Sequence, residues 1–488
     1  MTIFLLGLDG ASMNTIRETL DRTHLPNFEK LIEKGNHSDL KSVYPYVTAP
    51  AWTTIFSGVN PGKHGIFEMF EVREDKIIPS NMRATDVPLL WDYLTWANKR
   101  SLVIGIPFIH PAPKINGVFV TGRFAPRLSC YPEQIGSRFD LQGFNYDDLS
   151  MEEKTEKILV EGSENISTKV LENLEKRAKT IGELIDSEKW DVAIIVEGLP
   201  DDLLHLSYGD NAIVDEMYLA LDRLLGEILK RMSPSDSLII FSDHGFCKVE
   251  NVFFMNEWLR LKKYTSSDET LLSRFLMWMG LNWESLSDEG FTSRVFGFGV
   301  EHVPWIAERV KNSVRSGMIV DGSRQIKTSL VSAFSINEPL AWLRFSENRD
   351  DAPTQEKLIS ELQDLKEKGF LKNIFETEKI YSGKFVQFAP GKILIEAPKG
   401  WTVDTLRWNR RNLTGRPLFS KKGVHQREGI MLVYGRDFEL ESPRIHDIVP
   451  TVLEMLKLPI PENIDGKSLL LKSHREEPEG LLNVAQRL

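Results

Sequence analysis

In the segment SLIIFSDHGF, Asp243 and His244 stand side by side immediately after an apolar run. If that run is a buried strand, the pair projects from its carboxyl end, where ligands bind in open α/β sheets. Asp9, in LGLDG, closes a second run of the same kind and adds a carboxylate at the same sheet edge. In VEGLPDDLLHLSYG, Asp201 and His205 lie four residues apart, so one helical turn carries both on one face. A carboxylate and an imidazole so placed can share a transition-metal ion. Thr48 opens TAPAW with the pattern of a helix start, Thr48 at the N-cap and Pro50 in the first turn. A phosphoryl group beside that cap would meet unsatisfied backbone N–H groups and the positive end of the helix dipole. A threonine hydroxyl is a poor nucleophile until a divalent cation lowers its pKa. His425, in KKGVHQREGI, carries little signal singly.

Each fragment also has a plainer reading. Asp9 can simply form a turn, Thr48 can simply cap a helix, and Asp201 can simply favour a helix dipole. Asp243 and His244 can belong to a turn before a capped helix. His64, in GKHGIF, reads as a structural or supporting residue, and His446 as part of a helix cap with Asp447. His24, His37, His110, His302 and His474 have no convergent partners and read as surface residues.

The elements that must position these groups are short apolar runs alternating with helical patterns. The runs IFLLGLD (3–9), SLVIGIP (101–107), DVAIIVEG (191–198) and SLIIFSD (237–243) end in Gly, Pro or Asp. Such runs read as strands buried on both faces, hence a mainly parallel sheet. Helical patterns occupy Leu25–Lys34, Val87–Asn98, Met151–Ser187 and Asn211–Met232, and the fold class is α/β. After about Val249 the pattern changes. Residues 265–325 are rich in Trp, Phe and Met; packing against the body is the plain reading, a mobile lid or a membrane contact near Phe275–Trp283 the functional ones. Residues 338–397 read as a small strand–helix–strand unit, and the core resumes with GIMLVYG (429–435) and a final helix at 448–456. The expected organisation is a catalytic core in two parts, 1–250 and 411–471, an inserted cap or substrate-specificity region at 251–410, and a charged tail at 472–488.

Bulk composition narrows the function classes. With 488 residues the chain needs one large core with an insertion, or two or three domains. A net charge of −10 argues against a general nucleic-acid binder, but not against a small anionic substrate whose charge metals can meet locally. The two cysteines, Cys130 and Cys247, exclude a disulfide scaffold. Asp9 interrupts the apolar start, no basic leader precedes it, and no apolar run approaches the roughly 20 residues that span a bilayer. A cytoplasmic protein is expected, with room for homo-oligomerisation.

Taken in order, LLGLDG, VTAPAWTTIFSGVNPGKHG, LPDDLLH, FSDHGF, GVHQREGI and RIHDIVPTVLEMLKLPIPENIDGKSL resemble the alkaline phosphatase superfamily. They are most similar to its type I phosphodiesterase/nucleotide pyrophosphatase group, which includes predicted phosphohydrolases and phosphomutases of prokaryotes. The resemblance covers roughly 1–250 and 410–470. It implies a three-layer sandwich with an inserted cap subdomain. It also implies two divalent ions, one held by Asp9, Asp243, His244 and the oxygen of Thr48, the other by Asp201, His205 and His425. Zinc suits such a mixed set best, and manganese, iron or cobalt can use the same ligands. The implied activity is hydrolysis of phosphodiester or pyrophosphate bonds in a small phosphate ester, through a phospho-threonine at Thr48.

One departure is visible. Eukaryotic-type nucleotide pyrophosphatases carry an asparagine three residues after the nucleophile, and here that position is Ala51. Arg123, Lys63 and Arg427 are candidates to replace its contact with the phosphoryl oxygen. Within the same fold the alternatives are a phosphomonoesterase or a phosphoryl transferase or mutase. Outside it, a non-catalytic metal-stabilised binding protein would need the ligands but not Thr48. A sulfatase is disfavoured, because neither cysteine has the following Pro and Arg spacing needed for formylglycine formation.

Overall fold

The computed structural model describes residues 1–73, 76–144, 163–265, 331–334, 339–345, 352–405, 412–417 and 422–471. The aromatic segment around Phe275–Trp283 and the tail 472–488 lie outside the described residues, as do His302 and His474. By internal contacts the chain divides into two compact units: 1–246 with 382–385 and 425–488, and 247–381 with 386–424.

The first unit is built on an eight-stranded sheet. Its order is Asn36–Lys41, Glu428–Tyr434, Ser237–Phe241, Ile3–Leu8, Val192–Glu197, Ser101–Ile106, Gly117–Thr121 and Cys130–Tyr131. The five strands from Ser237–Phe241 to Gly117–Thr121 pair in parallel, while Glu428–Tyr434 runs antiparallel to both of its neighbours. Ile3–Leu8 is buried along its whole length, as a strand covered on both faces must be. Alternate residues serve opposite layers: Phe4, Leu6 and Leu8 enter one core cluster, Ile3 and Leu5 the other. The helices Pro26–Lys34 and Asn211–Leu229 supply Phe28, Leu31, Met217, Leu221 and Leu224 to the first cluster. Thr48–Ser57, Leu90–Trp96 and Ile448–Met455 supply Trp52, Phe56, Trp91, Val449 and Val452 to the second. The result is a helix–sheet–helix sandwich, the α/β architecture that the alternating runs imply.

Several boundaries differ from the sequence pattern for local reasons. The helix expected over Val87–Asn98 occupies only Leu90–Trp96. Pro88 biases the residue before it away from helical backbone, and the Asp92 carboxylate accepts from the Leu89 backbone N–H at 2.8 Å, fixing the start. The long helix expected from Met151 is described from Ser163 to Asp186. Thr48 is the first helical residue and not the N-cap: Val47 takes the extended cap conformation, and no side-chain hydrogen bond caps the helix. The Thr48 hydroxyl is therefore not committed to capping.

The second unit contains a four-stranded antiparallel sheet in the order Val331–Phe334, Leu340–Phe345, Ile393–Glu396, Asn373–Glu376. The helix Ala352–Glu367 places Leu358, Leu362 and Leu365 in a core with Leu343 and Ile395. The strand–helix–strand pattern read at 338–397 is thus part of a larger antiparallel sheet. No helix among the described residues is long and apolar enough to cross a membrane.

Candidate active site

Three of the candidate side chains leave the sheet from adjacent strands at one edge. Asp9 follows Ile3–Leu8, and Asp243 and His244 follow Ser237–Phe241, its parallel neighbour. On the other side, Val192–Glu197 leads through Gly198 into the helix Leu199–Ser207, which carries Asp201 and His205. His425 arrives on the strand Gly423–Gln426, just before Glu428–Tyr434.

Asp9, Asp243 and His244 form one convergent group, and all three are buried. Each presents one anchored atom and one bare atom. Asp9 Oδ2 accepts from the Trp52 indole Nε1 at 3.2 Å. Asp243 Oδ1 accepts from the Gly10 backbone N–H at 3.2 Å. His244 Nδ1 lies 3.3 Å from the Gly245 carbonyl oxygen. A carbonyl can only accept, so that nitrogen carries the proton and Nε2 keeps its lone pair. The remaining atoms, Asp9 Oδ1, Asp243 Oδ2 and His244 Nε2, have no hydrogen-bond partner among the described residues. They face one another, with His244 Nε2 3.2 Å from Asp243 Oδ2 and 3.6 Å from Asp9 Oδ1.

The second group is Asp201, His205 and His425. His425 Nε2 lies 3.0 Å from both Asp201 Oδ1 and His205 Nε2. His205 Nε2 is 3.4 Å from Asp201 Oδ1 across one helical turn. Two imidazole nitrogens at that separation need a proton or a cation between them.

These spacings test whether the residues fit a metal. Tetrahedral ligands at 2.0–2.1 Å from zinc are separated from one another by about 3.3–3.4 Å. Both groups fall around that value. Each provides three nitrogen or oxygen donors, leaving a further coordination position for a substrate or water. The residues fit two divalent ions.

The electrostatics without a cation are unfavourable. Burial, and then the neighbouring Asp243 and Asp201, push the Asp9 carboxyl well above its ordinary range. Burial and Asp201 raise Asp243 to about 7. Burial and the adjacent His425 hold His244 well below the usual imidazole range. For Asp201 burial acts upward, but His205 and His425 outweigh it and keep the carboxylate ionised. A dication at each group would supply the positive charge that buried carboxylates otherwise lack.

Thr48 is linked to this region by its helix. Thr48 and Trp52 are four residues apart on Thr48–Ser57 and so share one face, and Trp52 is the residue whose indole holds Asp9. Every residue of that helix is buried. Gly7 makes the approach possible, because a Cβ there would lie 2.5 Å from the Trp52 ring. Trp52 and Phe246 carry little signal in the sequence. Phe246 lies edge-on to His205 and His425, with ring centroids 4.8 and 5.0 Å away. Their only sequence signals are positions four residues after Thr48 and two after His244.

The three helper candidates separate clearly. Arg123 is 6% exposed and lies among the carboxylates, with Nη1 3.6 Å from Asp9 Oδ2 and Nη2 3.5 Å from Asp201 Oδ2. Lys63 pairs with Asp465 and donates to the Asn463 carbonyl at 2.8 Å. Arg427 donates to the Ser42 carbonyl at 2.9 Å and stacks 4.3 Å over the Tyr44 ring. His64 is buried beside Thr54, with Nε2 3.0 Å from Oγ1, and belongs to neither group. Ala51 is fully buried and offers no side-chain donor.

A family model described as type I phosphodiesterase / nucleotide pyrophosphatase matches residues 3–412. His425 lies beyond that interval; the resemblance of GVHQREGI and the geometry place it in the second group. A search of curated protein sequences finds no match. Among solved structures, murine ectonucleotide pyrophosphatase / phosphodiesterase 5 superposes with a TM-score of 0.53 at 13% identity, covering 95% of this chain and 98% of that one. An inactive variant of the murine protein, with a threonine replaced by alanine, is known in complex with AMP; it superposes at 0.53 and 14% identity, covering 95% of this chain and 97% of that one. Phosphonoacetate hydrolase from Sinorhizobium meliloti 1021, in complex with phosphonoformate, gives 0.57 at 11% identity over 92% of this chain and 94% of its own. At these identities the likeness is one of fold.

Proposed function

This chain belongs to the type I phosphodiesterase / nucleotide pyrophosphatase family, and we propose that it hydrolyses phosphodiester or pyrophosphate bonds in a small phosphate ester with two divalent ions, zinc first among them, through a phospho-threonine at Thr48. The observation that carries this reading is the pair of three-residue groups whose nitrogen and oxygen atoms converge on two points, with Asp9 Oδ1, Asp243 Oδ2 and His244 Nε2 of the first group left without a hydrogen-bond partner among the described residues. Asp9, Asp243 and His244 would hold one ion beside Thr48, and Asp201, His205 and His425 the other. Divalent ions there would lower the pKa of an adjacent hydroxyl or water and offset charge on phosphoryl oxygens.

The remaining work falls to the protein's own residues. Thr48 presents its hydroxyl from the first turn of a helix, where the backbone N–H groups of Thr48 and Ala49 have no intrahelical acceptor. Those amides and the helix dipole can receive a phosphoryl oxygen, a role that the Ala51 methyl cannot share. The Thr48 oxygen attacks phosphorus, the bond to the leaving alcohol or phosphate breaks, and Thr48 carries the phosphoryl group. Water then attacks that ester, releasing phosphate or a phosphate monoester and restoring the hydroxyl. Trp52 and Gly10 hold the outer oxygens of Asp9 and Asp243, so the carboxylates do not need to reorganise during either step. The inactive threonine-to-alanine variant of the murine neighbour is consistent with a nucleophilic threonine in this family.

The test is a screen of diesters, monoesters, nucleotides and sugar nucleotides with zinc or manganese, run on the protein and on Thr48→Ala. Turnover of a diester or pyrophosphate, lost on chelation and in Thr48→Ala, is the expected result. If Thr48→Ala keeps both ions and hydrolyses at the original rate, the mechanism is wrong. Activity confined to monoesters would move the protein to a phosphomonoesterase, and phosphoryl transfer to an acceptor would make it a transferase or mutase.

A further inference from the structure

Arg123 has more binding partners than its isolation in the sequence suggests. Its guanidinium donates to Asp202 Oδ1 at 2.6 Å and to the Gly198 carbonyl at 3.0 Å. The same group lies 3.6 Å from Asp9 Oδ2 and 3.5 Å from Asp201 Oδ2. Asp9 belongs to one convergent group and Asp201 to the other. The oxygens nearest Arg123 are the outer ones, whereas Oδ1 of each carboxylate faces its own group.

The backbone around Arg123 is shaped for this seat. A Cβ at Gly198 would lie 2.3 Å from Arg123 Cδ and 2.9 Å from Nη1, so only glycine leaves the notch open. Phe124 takes a φ of +62°, a left-handed conformation that a bulky residue rarely adopts. Its ring stacks on Phe108 at 4.3 Å and lies 4.9 Å from the guanidinium carbon. The Phe108 backbone N–H donates to the Arg123 carbonyl at 3.0 Å. Strained backbone held by packing is characteristic of positions under functional constraint.

We propose that Arg123 is a positioning residue shared by the two ion sites. Its fork fixes Asp9 and Asp201 in one-oxygen orientation, leaving Oδ1 of each to its own ion and keeping further coordination positions open. Asp202, outside both groups, anchors the fork through the same Nη2 that faces Asp201. With its donors directed at Asp201, Asp202 and Gly198 and its charge beside Asp9, Arg123 orients the site and does not replace the missing asparagine at the phosphoryl oxygen. This inference rests on the two-ion reading above.

The test is calorimetric titration of chelated full-length protein with zinc and, separately, manganese, alongside urea unfolding of the same metal-free samples. Arg123→Gln should weaken both binding steps together, each by roughly tenfold or more, the usual effect of losing an outer-shell partner. Gly198→Ala should do the same by displacing an unchanged arginine, and it serves if Arg123→Gln does not fold. Arg123→Lys keeps the charge without the fork and should recover only part of the loss. Unaltered affinity at both steps in a folded Arg123→Gln or Gly198→Ala protein overturns the proposal, as does weakening of one step alone. Absence of two binding steps in the unsubstituted protein would instead overturn the two-ion reading.

Discussion

The imidazoles of His244 and His425 lie nearly face to face, with ring centroids 3.7 Å apart and planes inclined by 26°. This contact joins the two groups, since His244 belongs to the first and His425 to the second. Two imidazolium ions could not stack so closely in a buried site. Burial and His425 accordingly hold His244 well below the usual imidazole range. Neutral imidazole is also the form that binds a metal.

The two groups should separate by substitution. Asp201→Asn removes a ligand from the second group and should reduce the bound metal from two equivalents to one. Thr48→Ala leaves all six Asp and His ligands in place and should retain both. Metal analysis after dialysis distinguishes them, and loss of both ions from Thr48→Ala would contradict the assignment.

Ion-induced stabilisation should depend on pH with a definite sign. Asp243 has a pKa near 7 without metal, and an ion must displace that proton. The rise in Tm on adding zinc should therefore be small at pH 5 and grow as pH passes through 7. A Tm increment independent of pH would remove Asp243 as a ligand.

Apart from any ion, the protein should also lose stability in acid through His64 and His446, compared as metal-free samples. Burial, followed by the nearby His446, lowers His64 from 6.5 to about 3; burial, followed by Arg444, lowers His446 from 6.5 to about 4. The unfolded chain then binds protons that the folded chain refuses, so stability is full above about 6.5 and declines as pH falls toward 4 and 3. In His64 the reason is visible: Nδ1 accepts from the Ile66 backbone N–H at 3.1 Å and cannot do so once protonated. Urea midpoints of His446→Gln should show a shallower decline over that window.

Trp52→Phe removes the indole donor to Asp9 from a fully buried site. It should cost roughly 1–3 kcal/mol in urea unfolding and weaken the Asp9 ion more than the Asp201 ion. Gly7→Ala intrudes on the same ring and should cost roughly 1–3 kcal/mol by overpacking. Equal weakening of both ions in Trp52→Phe would show that the indole does not act through Asp9.

Arg177 and Glu197 form a buried two-bond ion pair, with Nε–Oε2 at 2.9 Å and Nη2–Oε1 at 2.8 Å. Arg177→Met leaves a carboxylate buried without its partner and should destabilise by about 3–5 kcal/mol. The double variant Arg177→Met with Glu197→Leu should recover much of that loss. A single variant as stable as the parent would show that water enters the site.

What the sequence determines by itself is what short-range physics controls. Apolar runs of strand length between helical patterns specify the layered α/β class, because a strand buried on both faces needs apolar side chains in both directions. The four-residue spacing of Asp201 and His205 places them on one helical face, and the ordered motifs identify the family. The tertiary structure decides which distant segments meet. It brings His425 to Asp201 and His205, directs one oxygen of Asp9 and one of Asp243 to a donor while leaving the other bare, and seats Arg123 beside Asp9 and Asp201. It also frees Thr48 from capping by moving the helix boundary one residue. These relationships depend on sheet order and on close packing at Gly7 and Gly198, where a single Cβ would collide. Long-range contacts of that kind leave no periodicity along the chain, so they become visible only once the strands are paired.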